Sequence, residues 1–371
     1  MKLTCSRSSL ATAFGVVSTV IPSRTPRPIL QNVKLQMNPS LTVLIATDQE
    51  LGIRYVLSDA TIEGAGEVLL PAARLISILR ELRDETITLD IEADAVTIRA
   101  GGSEFRLPVE SPEEFPSVAE FQEESYLTLN GNVLREMIRR TIFATDPESS
   151  RYALGGILLD LSEPERMRLV ATDSRRLAIA GAPCSIQGTF EKEGTPPVIP
   201  AKTMSLLEKS ITDGEQPIKI AIHPNQVLIQ SGASTIYSRL VEGRFPRFQD
   251  VVPSSCRMTV ELNAGSFYAV VRQAQIVTSE ESRGVDFTFQ NGSMILKSQA
   301  ADIGQSRIEL PISYSGDSFT ITFDPRFVAD FLKVLGQETP VRLELTDSES
   351  AALLKTDDGY QYVIMPLSRD R

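Results

Sequence analysis

Apolar and polar positions follow two different periods along the chain. After Pro71, apolar side chains recur at the spacing of one helical face: Leu75, Ile78, Leu79 and Leu82. This spacing predicts an amphipathic helix, with the proline in its first turn, where its missing N–H would be unpaired anyway. The next stretch, TITLDIEADAVTIRA, alternates apolar with polar residues, a pattern typical of half-buried antiparallel strands. The pattern therefore predicts one helix followed by several short strands.

The same plan occurs three times. It covers residues 69–110, 198–242 and 322–367. Three prolines lie 129 and 125 residues apart: Pro71, Pro200 and Pro325. Three aspartates provide a second anchor with separations of 125 and 129 residues: Asp48, Asp173 and Asp302. Two anchors with similar spacing indicate three copies of one domain, each with two helices and antiparallel sheets, and hence an α+β fold.

We place the three domains at residues 1–120, 126–250 and 255–371. The stretches near 117–125 and 248–256 are interpreted as linkers. A chain of 371 residues is long enough for two or three domains of about 100–150 residues.

Composition narrows the possible functions. The hydrophobic content is 42%, and no stretch approaches the ~18 apolar residues of a membrane span, so we expect a cytoplasmic protein with no membrane partner. Three distant cysteines without a Cys-x-x-Cys pattern predict neither disulfides nor a zinc site. His223 is the only histidine, and its neighbours Pro224 and Asn225 indicate a turn, which excludes most histidine-based catalysis. We expect no cofactor and no metal.

Positive charge is concentrated on predicted helices although the net charge is −11. The basic residues are Arg74, Arg80, Arg83, Arg135, Arg139, Lys202, Lys209, Arg326 and Lys333. For a single helix these residues indicate an ordinary solvated face. If helices of several domains lined one space, their charges would form a channel suited to the phosphate backbone of a DNA duplex, without reading its sequence.

The stretch ATDSRRLAIA in the second copy resembles one corner of an active site. One hypothesis is a hydrolase or phosphotransferase that uses Asp48 and Asp173 as paired acids. The repeat places these two residues at equivalent positions of different domains, which argues against convergence on one site. We therefore interpret Asp173 as a residue that closes a turn.

Several motifs together resemble one protein family along the whole chain. They are the threefold plan, ATDSRRLAIA, RYALGG, GRFPRFQDVVP and the terminal YVIMPL. With these motifs taken together, the chain resembles the bacterial DNA polymerase III beta subunit, the sliding clamp of replication. The resemblance implies a non-catalytic processivity factor: a head-to-tail homodimeric ring that encircles double-stranded DNA and tethers the polymerase.

The resemblance also implies residue roles. A pocket for partner peptides would be formed by Leu154, Thr172, Ser174, Arg175, Arg176, Leu177, Pro246, Val251, Val363, Met365, Pro366 and Leu367. Partners would be the DNA polymerase III alpha subunit, the clamp loader complex and other proteins with a clamp-binding motif. Ser174, Arg175 and Asp250 depart from the residues that are frequent in the family, and the tail beyond Leu367 is longer than usual.

Further roles concern DNA and the second protomer. Residues matching the family's DNA contacts are Arg24, Arg151 and Tyr152, in addition to the basic helical residues. The protomer boundary would be formed by Phe105, Leu107, Ile276 and Val277. An interaction scaffold that never touches DNA is the remaining alternative.

Overall fold

The computed structural model describes residues 1–149, 153–189 and 195–368. Six α-helices and 26 strands occur in this part of the chain, and every strand pair with a recorded register is antiparallel. Each copy has the order strand, helix, several strands, helix, three strands. The predicted α+β class with two helices per copy is confirmed.

The first copy contains β1 (Lys2–Ser6), α1 (Arg7–Val17), β2 (Asn32–Asn38), β3 (Leu41–Thr47), β4 (Leu51–Val56), β5 (Thr61–Glu63), β6 (Gly66–Pro71), α2 (Ala72–Glu81), β7 (Thr86–Ile91), β8 (Ala95–Ala100) and β9 (Ser103–Pro108). The second contains β10 (Tyr126–Asn130), α3 (Gly131–Thr141), β11 (Gly156–Asp160), β12 (Arg166–Thr172), β13 (Arg176–Pro183), β14 (Ser185–Gln187), β15 (Val198–Pro200), α4 (Ala201–Ser210), β16 (Pro217–Ile222), β17 (Gln226–Ser231) and β18 (Ser234–Arg239). The third contains β19 (Met258–Asn263), α5 (Ala264–Gln275), β20 (Val285–Gln290), β21 (Ser293–Ala300), β22 (Gly304–Pro311), β23 (Phe319–Phe323), α6 (Pro325–Lys333), β24 (Pro340–Leu345), β25 (Ala352–Lys355) and β26 (Gln361–Ile364).

The three anchor prolines do not occupy one helical position. Pro325 is the first residue of α6, and the side chain of Asp324 caps that helix by accepting the N–H of Arg326. Pro71 and Pro200 instead end the preceding strands and lie just before α2 and α4, with extended backbone angles. The first-turn prediction is therefore wrong for these two, because the strand continues up to the helix without an intervening cap residue.

The predicted helical stripe is largely correct. Leu75 and Leu79 of α2 are buried, as is Leu82 directly after the helix, and Ile78 is half-buried. His223 lies in the turn between β16 and β17, as predicted. No helix among the described residues is long and apolar enough to span a membrane.

Strands of consecutive copies share sheets. One compact unit consists of Met1–Arg135 with Cys184–Val241, and the other of Glu136–Pro183 with Glu242–Arg371. The first unit has the sheets β5-β1-β7-β8-β9 and β14-β10-β16-β17-β18-β4-β3-β2-β6. The second has the sheet β22-β21-β20-β23 and the strand run β11-β12-β13-β26-β25-β24-β19. Pairing of β4 with β18 and of β13 with β26 joins neighbouring copies, so the compact units differ from the three predicted domains, whose boundaries remain predictions.

The two predicted linkers differ in structure. Residues 117–125 contain no helix or strand, although Val118 is buried. The second stretch begins with a 3-10 helix, Phe248–Val251, and the Phe248 side chain is buried. Both stretches are therefore anchored by an apolar side chain.

Candidate functional site

The β12–β13 hairpin turn is closed by two side chains. Asp173 Oδ1 accepts the backbone N–H groups of Arg175 and Arg176 at 3.0 and 3.1 Å. Thr172 Oγ1 accepts the N–H of Ser174 at 3.1 Å and donates to the Arg176 carbonyl at 2.6 Å. Ser174 has a positive φ of 73°, a strained conformation that these bonds hold in place. The interpretation of Asp173 as a turn residue is confirmed.

The first copy has the same turn between β3 and β4. Asp48 Oδ1 accepts the N–H groups of Glu50 and Leu51 at 3.1 and 2.8 Å, and Gln49 has a φ of 84°. The Lys202 ammonium pairs with the other Asp48 oxygen at 2.5 Å. Each aspartate thus has a complete structural role within its own hairpin, which argues against the paired-acid hypothesis. No group of residues suited to hold a metal ion occurs in the described part of the chain.

The third aspartate anchor was wrong. In the β21–β22 hairpin, Ser298 lies opposite Ser306, and the pairing continues for two more pairs to Ala300 and Gly304. Asp302 is exposed in the turn beyond them. This hairpin is longer than its two counterparts, so the equal sequence spacing of Asp302 did not reflect an equivalent position.

Arg176, one of the predicted pocket residues, directs its side chain into the protein, where each guanidinium nitrogen bonds a residue of the fold. Its Nε donates to Asp173 at 2.9 Å, Nη1 to Asp330 at 2.6 Å and Nη2 to the Phe143 carbonyl at 2.7 Å. The guanidinium lies 4.4 Å from the ring centroid of Phe327 and 5.3 Å from that of Phe143, favourable cation–π geometry.

These contacts fix the charge of Arg176. Burial by itself lowers the pKa of this guanidinium, whereas Tyr362, Asp330 and Asp173 raise it, and the net shift is upward. Its side chain is 10% exposed. Arg176 therefore ties the turn of the second copy to α6 of the third, and an incoming ligand would find its donors already engaged.

Beside this buried arginine lies an apolar surface on β13 and β26. Leu177 lies opposite Val363, and both are buried. The adjacent pair of residues is more exposed. The Met365 N–H donates to the Arg175 carbonyl at 2.9 Å, and the Met365 side chain is 45% exposed. Arg175 is exposed, and its guanidinium makes no ion pair among the described residues. The arrangement offers an apolar floor, an adaptable thioether and a free cation.

The remaining predicted pocket residues lie on adjoining segments. Leu154 is buried and next to Ala153, whose N–H donates to the Arg244 carbonyl at 3.4 Å. This bond places the segment that carries Pro246 beside the Leu154 loop. Val251, at the end of the 3-10 helix Phe248–Val251, is 53% exposed.

Pro366 and Leu367, the last two residues of the predicted pocket, are half-buried. Pro366 and Leu367 follow Met365, and the Leu367 N–H donates to the Thr322 carbonyl at 2.8 Å. Ser174 is exposed at the tip of the turn.

An internal comparison shows what is particular to this site. At the equivalent junction of β4 with β18, the Arg239 N–H donates to the Glu50 carbonyl at 2.9 Å, as Met365 does to Arg175. The Arg239 and Glu50 side chains there are charged and lie 3.5 Å apart. A Cβ at Gly52, the counterpart of Leu177, would lie 2.8 Å from Val118. The first junction is therefore filled and polar, whereas the second presents the apolar Met365 side chain to solvent.

The predicted DNA-facing residues fall into two groups. The exposed ones without an ion pair among the described residues are Arg24, Arg74, Arg80, Lys209 and Lys333. The others have partners in the fold. Lys202 pairs with Asp48, and Arg326 pairs with Asp324 at 2.6 Å. Arg135 donates to the Ile211 carbonyl, so it is not free on the helix surface.

Arg139 is exposed on α3, where it also has a partner. Arg151 and Tyr152 lie outside the described residues.

The predicted protomer-boundary residues are exposed in part. Phe105 is 38% exposed and Leu107 half-buried on β9, the outer strand of its sheet. Ile276 is 75% exposed directly after α5, and Val277 is half-buried.

Sequence reasoning missed three residues that hold the site together: Phe143, Phe327 and Asp330. Phe327 and Asp330 are three residues apart on α6 and so lie on one helical face, a signal that the sequence contains. Nothing in the sequence shows that this face meets Arg176, because the contact joins residues 154 positions apart.

Three family models match the chain in order. They are the N-terminal domain of the DNA polymerase III beta subunit at residues 1–119, its central domain at 128–247 and its C-terminal domain at 249–368.

Similar curated proteins cover the chain almost completely. The chain is 29% identical to the beta sliding clamp of Chlamydia muridarum over 368 residues, 99% of each protein. It is 30% identical to the beta sliding clamp of Pseudomonas putida over 373 residues, covering 99% of this chain and 100% of that protein.

Several solved structures have the same fold as this chain. The DNA polymerase III subunit beta from Pseudomonas aeruginosa is 27% identical with a TM-score of 0.89, and each chain is covered completely. The DNA polymerase sliding clamp from Bacillus subtilis, at 24% identity with the same coverage, has a TM-score of 0.91 and shows likeness of fold alone.

Proposed function

The chain belongs to the DNA polymerase III beta subunit family, and from this premise we propose that it is a sliding clamp that encircles duplex DNA and tethers the replicative polymerase. It acts as a non-catalytic processivity factor, and two protomers join head to tail in a ring. Tethering raises the effective concentration of the polymerase at the template. We propose that it acts in the cytoplasm.

The observation that carries the proposal is the exposed Met365 side chain beside the buried Leu177–Val363 pair, where β13 of the second copy meets β26 of the third. Exposed apolar side chains next to a buried apolar floor are typical of a peptide-binding groove. The equivalent junction of the first and second copies is closed by an ion pair and Val118, so the opening is a feature of one junction and not of the repeat. We assign to it the polymerase III alpha subunit, the clamp loader complex and other proteins with a clamp-binding motif as partners.

The peptide site is tested by fluorescence anisotropy with a labelled short peptide rich in leucine and phenylalanine. Met365→Ala should weaken binding about tenfold, since truncating one of the few side chains that anchor an interface costs about 1–2 kcal/mol. Arg239→Ala is the matched control, because Arg239 occupies the equivalent position at the closed junction. Equal affinities of wild type and Met365→Ala, or equal losses in both variants, would contradict the site.

Encirclement is tested with DNA of two topologies. Loaded protein should stay on nicked circular DNA and be lost when the DNA is linearised, because a ring is retained by topology and not by affinity. Equal retention on both forms would refute encirclement.

Sequence-independent DNA binding is assigned to the basic residues whose side chains are exposed. Replacing Arg74, Arg80, Lys209 and Lys333 by glutamine should weaken DNA association and reduce its salt dependence, since each lost phosphate contact lowers the slope by about 0.9. Arg135 and Lys202 are poor choices because both are engaged within the fold. Unchanged DNA loading of the fourfold variant would favour the scaffold alternative.

A further inference from the structure

The third copy lacks a strand that the first two copies have. In the first copy β5 pairs with the outer edge of β1, and in the second copy β14 pairs with the outer edge of β10. The corresponding strand of the third copy, β19, ends its sheet and has β24 as its only neighbour among the described residues. We propose that the free edge of β19 binds a short extended peptide of a partner protein, which pairs with it antiparallel.

Strand registers establish that β1, β10 and β19 correspond. Each strand directly precedes the first helix of its copy, and its last residue lies opposite Thr86, Pro217 or Pro340. Counting back from these last residues gives two rows of equivalent positions: Lys2, Tyr126 and Thr259, and then Thr4, Thr128 and Glu261. The site is separate from the Met365 surface, because β24 and β25 lie between β19 and β26.

The free edge presents backbone groups to solvent. The Ala264 N–H donates to the Thr339 carbonyl at 3.0 Å, on the side of β24. Hydrogen bonding alternates in direction along an antiparallel strand, so Thr259 and Glu261 direct their N–H and C=O groups away from β24. In the first two copies the equivalent groups face β5 and β14. An extended peptide could bond all of them.

Exposure differs in the way that a missing neighbour requires. The four equivalent residues of the first two copies are half-buried: Lys2, Thr4, Tyr126 and Thr128. Thr259 and Glu261 are exposed. The first two copies therefore cover positions that the third leaves open.

A cleft borders this edge. Its volume is about 380 Å³, within the range of small-ligand pockets. It is lined by β19 and the start of α5 at Glu261, Leu262, Asn263 and Ser266, and by the end of β22 and the residues after it at Leu310, Pro311, Ile312 and Ser313. The cleft thus offers apolar side chains next to unpaired backbone groups.

The segment that would close this edge is bonded elsewhere. In the second copy, β14 begins two residues after Pro183, the last residue of β13. In the third copy β22 ends at Pro311, and the next N–H, that of Ile312, donates to the Gly292 carbonyl at 3.1 Å. The Gly292 N–H donates to the Tyr314 carbonyl at 2.8 Å, and the Tyr314 ring packs edge-on against a phenylalanine of β20. These contacts tie the segment to the β20–β21 turn and leave the edge of β19 open.

The two strands that fill this position in the other copies indicate the chemistry of the peptide. Thr61–Glu63 reads TIE and Ser185–Gln187 reads SIQ, so each has a hydroxyl residue, an isoleucine and a longer polar residue. The isoleucine lies opposite Leu3 in the first copy and Leu127 in the second. In the third copy it would lie opposite Val260, which is 1% exposed, beside the apolar residues of the cleft.

An aspartate before the hydroxyl residue adds a further bond. In the first copy, Asp59 Oδ2 accepts the outward N–H of Ser6 at 3.1 Å. Asn263 is the counterpart of Ser6, because both are the last residues of their strands. The chain's own residues 59–65, DATIEGA, therefore provide a probe peptide with every feature that the site should recognise.

Disulfide trapping tests the pairing and its register. A protein with Cys256→Ser and Thr259→Cys is oxidised with DATIEGA peptides that carry cysteine in place of Glu63 or of Thr61. In the proposed register Thr259 lies opposite the Glu63 position, and such opposed residues are about 5.5 Å apart, within disulfide range. The peptide with cysteine at the Glu63 position should be trapped several-fold faster. Equal trapping, or faster trapping at the Thr61 position, would overturn the proposal.

Lys2→Cys in the same Cys256→Ser background is the matched control. It occupies the position equivalent to Thr259, but β5 already covers that edge. The remaining native thiols, Cys5 and Cys184, are buried. The control should not distinguish the two peptides, and the same preference there would show that the peptide alone sets it, against the proposed site.

Amide exchange of the unmodified protein identifies what covers the edge. The N–H groups of Thr259 and Glu261 should exchange rapidly in dilute protein and more slowly when the DATIEGA peptide is added. A peptide with proline at the Glu63 position, which lacks one bonding N–H, should slow them less. Slow exchange in the dilute free protein would mean that the chain closes its own edge, and slow exchange only in concentrated protein would indicate a second copy. Either result, or no effect of the peptide, would refute the proposal, whereas the sliding-clamp function would be unaffected.

Discussion

Arg176 determines the geometry of the candidate site through its buried contacts. The family resemblance predicts both Arg175 and Arg176 as residues of the peptide pocket, but only Arg175 is exposed in the structure. Arg175 is exposed, whereas Arg176 bonds Asp173, Asp330 and the Phe143 carbonyl. Arg175 lies in the turn between β12 and β13, whereas Arg176 is the first residue of β13, so two neighbouring arginines acquire different roles.

Arg176→Ala should lower the free energy of unfolding by about 2–4 kcal/mol, because it removes three hydrogen bonds of a largely buried guanidinium and leaves the half-buried Asp173 and Asp330 carboxylates without their counter-charge. Arg176→Lys should lose less but remain destabilised, since an ammonium cannot make all three bonds at once. Urea denaturation measures the loss, with Arg175→Ala as the neighbouring control at about ±0.5 kcal/mol. Similar stabilities of the two alanine variants would contradict the role assigned to Arg176.

The three free cysteines should differ in reactivity. Burial, with a smaller contribution from Asp59, raises the pKa of the Cys5 thiol to about 12, so it stays protonated and unreactive at pH 8. Cys184 is buried and Cys256 exposed. A thiol reagent should therefore label one cysteine in the folded protein and three in denaturant. Rapid labelling of Cys5 in the native protein would show that this part of the first copy is open.

At the scale of elements, the hairpins after β3, β12 and β21 differ although their sequences share an aspartate. Two of them close with a carboxylate that accepts two backbone N–H groups, and the third continues its pairing one residue pair further. Sequence spacing could find the repeated elements because helix and strand periods are local properties. It could not find the extra strand pair, because hairpin length depends on which residues face each other across the turn.

Alanine substitution of the three aspartates should affect stability differently in these turns. Asp48→Ala and Asp173→Ala should each cost about 1–3 kcal/mol, since backbone donors lose their acceptor. Asp302→Ala should stay within about 0.5 kcal/mol, because Asp302 is exposed in its turn. Melting temperatures measured on the three variants check the order. A cost for Asp302→Ala equal to the others would restore the third aspartate to an equivalent role.

At the scale of the whole molecule, a head-to-tail dimer makes a prediction about mixtures. Phe105→Asp and Ile276→Asp should each be monomeric alone, because every interface of the ring then contains one charged residue. Mixed together, the two variants should form a heterodimer through one intact interface, since the other interface collects both changes. Sedimentation velocity of the mixture measures this. A mixture that stays monomeric would contradict the head-to-tail arrangement.

The sequence by itself determined the repeated order of helices and strands, the α+β class, the family resemblance and the turn role of Asp173. These features depend on local periodicity and on motifs that are contiguous in the chain. It also identified Leu177, Val363 and Met365, since they lie in two short motifs, ATDSRRLAIA and YVIMPL.

Only the tertiary structure decided which of these residues are available to a partner. It showed that Arg176, Arg135 and Lys202 are engaged within the fold, that Asp302 is no counterpart of Asp173, and that one of two equivalent junctions is open. The physical reason is that availability depends on contacts between residues distant in sequence. Whether a guanidinium meets a carboxylate or solvent is settled when β13, β26 and α6 pack together, and no local pattern encodes it.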